Sequence, residues 1–384
     1  MQKVHDKPIY LDYASTTPIR PEIIADAHKI QQEFFENADS LHYGGQRVSD
    51  LVTKSRQYLA KHFNVLPQEV IFTSGASESN SAAIKGIALA NKHLGNHIIT
   101  SNVEHSSVMG ACKQLEDVLG FDVDYVGVDE TGSIDLHQLK QLIRKDTILV
   151  ALLAVNNEVG SINDIQEITS IVKKNPNTHL HIDGVQALAR HDFELKQIDS
   201  VSFSAHKIYG VKGSGLWILK AHTPCIPLIN GGQQQYGKRG GTTDNVAAIL
   251  WAKTLRLALE DSKTYYNHVQ ELSNLLYETF ENEPGIVLNS TRLGSPYIFN
   301  MSVLNVGSEI MMNGLNAKGI AVSAQSTCNS QSLKPSHVLM AMGADEKRAL
   351  SSVRISLSHL TTRAEIEKTI ETIMEIKKYV QHEL

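Results

Sequence analysis

A lysine can hold a cofactor aldehyde as a Schiff base, and an aspartate can keep a pyridine nitrogen protonated so that the ring draws electrons. Both residue types stand here at the ends of strand-like runs. Asp183 closes HLHID and leads into Gly184-Val185-Gln186, and Lys207, 24 positions on, closes Ser204-Ala205-His206-Lys207 after SVSFS. Such ends project from the carboxyl edge of an open α/β sheet, where ligands bind. Upstream, VIFTS runs into Gly75-Ala76-Ser77-Glu78 and then a helical pattern. The free N–H groups of a helix N-terminus beside a serine hydroxyl make a phosphate site. Singly, each feature has an ordinary alternative: Ser77 and Asp183 as helix caps, Lys207 as a solvated lysine. Together, amine, acid and phosphate turn imply pyridoxal phosphate.

Two further groups sit at the same predicted edge. His105 follows HIITS in Val103-Glu104-His105-Ser106, where an imidazole could stack on a cofactor ring and move protons near neutral pH. Asn156, after ILVALLAV, could offer an amide to cofactor or substrate, or simply serve a turn. A cysteine completes the set. Cys328 lies in Ser323-Ala324-Gln325-Ser326-Thr327-Cys328-Asn329-Ser330, a polar setting unlike that of a core thiol, and is expected to be exposed and movable. Cys112, on a helical pattern, and Cys225, between two prolines, read as structural.

The elements that must position these residues follow from periodicity. Between about residues 69 and 220, short β-branched runs alternate with amphipathic stretches, which predicts a mainly parallel sheet with helices on both faces. A single long connecting helix is expected over about 247–281, then a smaller α+β region ending in a helix from about residue 363. The chain of 384 residues exceeds what one core usually serves, about 250–300. The expected division is a large α/β domain over 16–256 and a small α+β domain over 1–15 and 257–384, carrying the cysteine loop at about 323–335.

Composition excludes several functions. With 36 basic against 41 acidic residues there is no positive excess for direct, tight nucleic-acid binding. The longest apolar run, Ile148 to Val155, is far short of the roughly 20 residues needed to span a bilayer, and no apolar signal core opens the sequence, so no membrane association and a cytoplasmic location are expected. Three cysteines, an odd number spread far apart, do not make a disulfide framework.

Longer strings carry a family resemblance: LDYASTTP from Leu11, TSGASES from Thr73, VEHSSV from Val103, VNNEVG from Val155, IDGVQ from Ile182, SFSAHKIYG from Ser202, GGT from Gly240 and SSVRISL from Ser351. Through them the chain resembles the NifS/IscS-like cysteine desulfurases, pyridoxal-phosphate enzymes of the fold-type-I, class V aminotransferase group. The resemblance implies that Lys207 carries the cofactor, Asp183 meets its ring nitrogen and Gln186 its ring hydroxyl. Ala76, Ser77, Ser204 and His206 would bind the phosphate, with Thr242 reaching it from a neighbouring subunit of a homodimer. His105 would stack on the ring and shuttle protons, while Asn156 and Arg354 would hold the substrate L-cysteine, Arg354 through its carboxylate. Cys328 would take the sulfur as a persulfide and hand it to an acceptor protein for tRNA thiolation, iron–sulfur cluster or thio-cofactor assembly. No resident metal is implied, though Cys328 could transiently ligate a cluster held by a scaffold partner.

The sequence departs from the family pattern at Gln325 and Thr327 in the cysteine loop, at Gln235 and Tyr236 where a glutamate and an arginine are usual, at Ala38 for a proline and at Ala205 for a glycine. None removes a reacting group. Alternatives are selenocysteine lyase or another class V lyase or aminotransferase, and, from a different class, a non-catalytic assembly subunit, against which the presence of Lys207, Asp183, His105, Arg354 and Cys328 argues.

Overall fold

The computed structural model describes residues 8–192, 194–324 and 334–383. Its strands, in chain order, are β1 (Ile9–Tyr10), β2 (Val70–Thr73), β3 (His97–Ser101), β4 (Asp122–Val126), β5 (Thr147–Leu153), β6 (His179–Asp183), β7 (Ser200–Ser204), β8 (Gly215–Leu219), β9 (Ile286–Leu288), β10 (Ile298–Val303), β11 (Ile320–Ala321) and β12 (Ser352–Ser356). Strands β2 to β8 form one sheet in the order β2-β8-β7-β6-β5-β3-β4, in which only β8 runs against the rest. The apolar runs noted in the sequence are strands buried on both faces. In β5, Val150 and Leu152 enter one core, while Leu149 and Ala151 enter the core on the opposite side. That double burial explains why β5 shows no polar alternation.

A second, antiparallel sheet (β12-β10-β9) and the parallel pair β1-β11 surround a separate apolar core. That core takes Leu11 and Ala14 from the N-terminal region together with Val269, Leu276, Phe299, Met301 and Ile355. The expected single helix over 247–281 is instead two, Asn245–Glu260 and Ser262–Phe280, separated at Asp261 with φ −118° and ψ 18°. The physical reason is that their apolar stripes serve different cores: Ala248, Trp251 and Leu255 pack under the large sheet, and Val269, Leu272 and Phe280 pack in the second core. The Asp-Ser pair at the break belongs to the types that favour helix starts over helix interiors. Two helices that periodicity did not signal, Pro21–Glu33 and Tyr43–Phe63, cover the large sheet's flank. The second opens Tyr43-Gly44-Gly45, a weak helical beginning, and is started by His42 Nδ1 accepting the Gly45 N–H at 3.2 Å. Among the described residues no helix is long and apolar enough to cross a membrane.

The sheet order places a topological switch between β3 and β5. Strand β4 lies on one side of β3 while β5 to β7 extend on the other, so the loops after β3 and β5 part and leave a crevice at their carboxyl ends. The turn after β2 meets this crevice across β8 because Gly215 has no side chain. A Cβ there would fall 2.3 Å from Thr73 Oγ1 and 2.6 Å from Gly75 Cα. Gly215→Ala is therefore expected to cost about 1–3 kcal/mol of stability and to displace the Gly75–Ser77 turn. Denaturant unfolding and cofactor titration check this, and unchanged values for both would show that the contact is not restrictive.

Candidate active site

The crevice deepens into a cavity of about 470 Å³, within the range of small-molecule sites. Its walls come from the ends of five parallel strands, from residues Ala14–Thr16 and from Arg354 of β12. At one end the turn after β2 delivers Gly75 and Ala76, the first residue of the 16-residue helix Ala76–Asn91, so free backbone N–H groups and Ser77 face the space. Glu78 also lines this end. Hydrogen bonds from Ser74 and a 3.0 Å contact with Arg239 outweigh its burial and hold its carboxyl below the ordinary range. Ser204, His206 and Lys212 complete the same end. His206 Nδ1 lies 3.1 Å from Thr16 Oγ1, and burial, aided by Lys207 and Lys212, pushes its pKa down to about 4. It is thus a neutral ring near pH 7.

Lys207 occupies the middle. Its Nζ donates to the carbonyls of Ala14 and Ser15 at 2.6 and 2.8 Å. Burial, together with the cations Arg354 and Arg190, pulls its pKa down to about 7. An amine so placed is free to a useful extent at neutral pH and can attack an aldehyde. Asp183 accepts from Asn80 Nδ2 at 2.7 Å and from Val185 N at 3.1 Å. Gln186 donates to Ala14 O at 3.0 Å and accepts from Arg190 at 2.6 Å.

His105 sits where the β3 loop enters the helix Ser106–Leu119, with Nδ1 3.2 Å from Ser107 N and 2.8 Å from Ser107 Oγ. Burial lowers its pKa. Its neighbour Glu104 is fully enclosed, and burial, with Asp183 nearby, pushes its carboxyl up to about 8. Arg354 is 1% exposed and closes the far wall, donating to Asp12 Oδ1 at 2.9 Å, Ser15 Oγ at 2.8 Å and Asn157 O at 2.7 Å, while its Nε has no hydrogen-bond partner. A buried guanidinium with a donor left over suits a carboxylate ligand.

The structure therefore brings Ala76, Ser77, His105, Asp183, Gln186, Ser204, His206, Lys207 and Arg354 to one cavity. It does not bring Asn156 to the wall. That amide is fully buried, donating to Val103 O at 3.0 Å and accepting from Glu158 N and Val159 N, so it shapes the turn, and Asn157 lines the cavity in its place. Thr242 is exposed and not on this cavity's wall. Cys328, like Gln325 and Thr327, lies outside the described residues, but both flanks of its segment are tied to the site. Ser323 exchanges backbone hydrogen bonds with Arg354 at 2.6 and 3.2 Å, Ser336 Oγ donates to Glu158 at 2.6 Å, and His337 Nε2 donates to Glu104 O at 3.2 Å. Cys112 and Cys225 sit apart from these contacts, and burial pushes both thiols up to about 12.

Sequence reasoning missed Asn80, His181 and Arg190. His181 is two residues before Asp183 on β6 and so shares its face of the sheet, a signal the period of a strand supplies. Gln235 is buried, accepts from Arg56 at 3.0 Å and from Phe72 N at 3.1 Å, and so braces β2 without lining the cavity.

The depressed lysine gives a direct prediction. Capture of pyridoxal phosphate by cofactor-free protein should speed up through about pH 7 and then level off, and Arg354→Met should move that midpoint upward. A rate still climbing toward the ordinary lysine value of about 10.4 would contradict it.

Comparison with known proteins agrees with this fold. The Aminotransferase class-V family matches residues 9–369. The protein "Cysteine desulfurase IscS" of Dictyoglomus turgidum is 38% identical over 96% of this chain and 94% of its own length. A solved "NifS-like protein" superposes with a TM-score of 0.90 at 33% identity, covering 97% of this chain and all of that one. A second solved structure, "SspA in complex with cysteine", gives a TM-score of 0.79 at 30% identity over 92% of this chain and all of that one. With nearly its full length matched and a lysine, an aspartate and a helix N-terminus converging on one cavity, the chain belongs to the class V aminotransferase family.

Proposed function

We propose that this protein is a pyridoxal-phosphate-dependent cysteine desulfurase. The observation that carries the reading is the double duty of Arg354. Its guanidinium closes the cavity that holds Lys207, and its backbone pairs with Ser323, five residues before Cys328. A substrate carboxylate bound by Arg354 therefore lies at the root of the segment that bears Cys328. The relatives named cysteine desulfurase, similar over nearly the whole chain, support it.

When bound, pyridoxal phosphate supplies an aldehyde and a ring that withdraws electrons from the Cα of an attached amino acid. The residues fit it: the Ala76 and Ser77 N–H groups, with Ser204 and His206, would hold the phosphate, Asp183 the ring nitrogen, Gln186 the ring hydroxyl, and Lys207 the aldehyde carbon. Arg354 orients L-cysteine by its carboxylate. Lys207, with its lowered pKa, carries a proton at Nζ to and from the substrate. The Cys328 thiolate attacks the substrate sulfur, so that an S–S bond forms as the Cβ–S bond breaks. The products are alanine and an enzyme persulfide, whose outer sulfur passes to an acceptor thiol on a sulfur-carrying protein of the tRNA-thiolation, iron–sulfur or thio-cofactor type.

The expected products fix the test. Purified protein given L-cysteine should release alanine and gain one sulfur atom on the peptide containing Cys328, and Cys328→Ser should abolish both while retaining bound cofactor. Sulfur on Cys112 or Cys225, or full turnover by the serine variant, would remove the assignment.

The assembly is read as a cytoplasmic homodimer with Thr242 serving the other subunit. Phe35, Leu41 and Tyr43, 77, 89 and 76% exposed, flank the segment of Thr242, to which they are linked by Gln234 donating to Asp39 and Asn245 donating to Glu36 O. Large apolar side chains so exposed mark an interaction surface. Light scattering should give twice 42.4 kDa, and Leu41→Glu with Tyr43→Glu should yield monomers with weakened cofactor binding; an unaltered dimer would place the interface elsewhere.

A further inference from the structure

Behind the cavity runs a buried chain of hydrogen bonds that none of the roles above uses. Trp217 Nε1 on β8 donates to Ser200 Oγ on β7 at 2.8 Å, and the same hydroxyl lies 2.8 Å from His181 Nδ1 on β6. His181 Nε2 is 3.0 Å from Asn80 Oδ1. Asn80 Nδ2 then reaches both Asp183 Oδ2 at 2.7 Å and Ser107 Oγ at 2.9 Å, and Ser107 Oγ meets His105 Nδ1 at 2.8 Å. Trp217, Ser200, His181 and Asn80 are at most 1% exposed, so the chain must satisfy itself without bulk water.

The two ends of this chain force its direction. An indole nitrogen can only donate, and carboxylate oxygens can only accept. If Asn80 were reversed, its carbonyl oxygen would stand 2.7 Å from an Asp183 oxygen, two acceptors in contact with no proton between them. The amide must therefore turn its NH₂ toward Asp183 and its oxygen toward His181, which requires a proton on His181 Nε2. Nδ1 of His181 is then bare and takes the proton of Ser200. Burial keeps this ring neutral, with its pKa pushed down to about 3, so it carries one proton and not two.

The second amide hydrogen of Asn80 donates to Ser107 Oγ, which leaves the Ser107 proton for His105 Nδ1. That nitrogen also accepts the Ser107 backbone N–H at 3.2 Å, a group that can only donate. Both donors need a bare Nδ1, so the His105 proton sits on Nε2.

We propose that Asn80 is a positioning residue that sets two groups at once: it holds Asp183 as a fixed acceptor facing the cavity, and it fixes His105 as the Nε2–H tautomer, a hydrogen-bond donor. In the reaction proposed above, on which this reading of roles rests, His105 then offers a proton-bearing nitrogen to the substrate, and Lys207 is the group that accepts a proton. Asn80 touches neither substrate nor cofactor. It acts through Asp183 on one side and through Ser107 on the other.

Neutron diffraction from deuterium-exchanged crystals of the purified protein tests the tautomers directly and needs no variant to fold. The expected result is deuterium on Nε2 of both His105 and His181, none on either Nδ1, and the Asn80 ND₂ group directed at Asp183. Deuterium on His105 Nδ1, or a reversed Asn80 amide, would overturn the proposal. Two variants separate the branches by their affinity for pyridoxal phosphate. Asn80→Leu removes both donors and should weaken it by roughly tenfold or more, as loss of a hydrogen bond to a charged group does. Ser107→Ala breaks only the His105 branch and should leave it within about twofold. Equal effects of the two variants would refute the branching. Proton positions as described in a protein that makes no alanine from cysteine would sink the desulfurase reading while leaving the role of Asn80 intact.

Discussion

The fastening of residues Leu11–Thr17 between the second hydrophobic core and the segment that follows β7 is the constraint on which the site rests. Leu11 and Ala14 are buried in the second core, Ala14 N donates to Ser356 Oγ at 2.9 Å, and Thr17 N donates to His206 O at 3.0 Å. This short turn is thereby held at both ends, and the carbonyls of Ala14 and Ser15 accept from Lys207 Nζ. A backbone carbonyl is a good acceptor but carries no full charge, so it orients the amine without the stabilisation of the ammonium form that a carboxylate would bring. The same stretch supplies Asp12, the ion partner of Arg354. One piece of chain thus places the central amine, while burial, Arg354 and Arg190 set its lowered basicity.

Charge is arranged around that amine with a clear asymmetry. Three cationic side chains, Lys207, Arg190 and Arg354, lie close enough to influence one another, and the nearby acids Asp12 and Asp183 only partly offset them. Arg190 is held by Gln186 Oε1 and by the Lys207 carbonyl at 3.0 Å, both neutral acceptors, and by the Tyr297 ring face at 4.9 Å. Burying positive charge on neutral partners is costly, which is why such an arrangement points to a ligand that brings negative charge of its own. A phosphate at the helix N-terminus and a carboxylate at Arg354 would each supply it.

Much of this was legible in the sequence because the reacting residues end strands. Asp183, His105 and Lys207 each follow a compact apolar run, and a strand's end fixes the place of the next residue within a few ångströms. The helix Ala76–Asn91 was legible for the same reason, as the continuation of VIFTS. What failed depended on side-chain direction or on contacts distant in sequence. Asn156 and Asn157 are adjacent and chemically identical, and only the turn decides that the first is buried and the second faces the cavity. Asn80 and His181 look like interior packing residues, and their partners lie 101 and 103 positions away. The helix break at Asp261 was hidden because a continuous amphipathic pattern does not reveal that its two halves face different cores.

Strand β12 alternates Val353 and Ile355, both wholly inside the second core, with Arg354, whose head reaches the opposite side. A slip of one residue against β10 would drive a guanidinium into packed aliphatics and leave a branched hydrocarbon where the carboxylate should bind. Misregistration is thus doubly forbidden, once by solvation and once by shape. Because Ser323 is laced to that same strand, the point from which the cysteine-bearing segment departs is inherited along with the sheet.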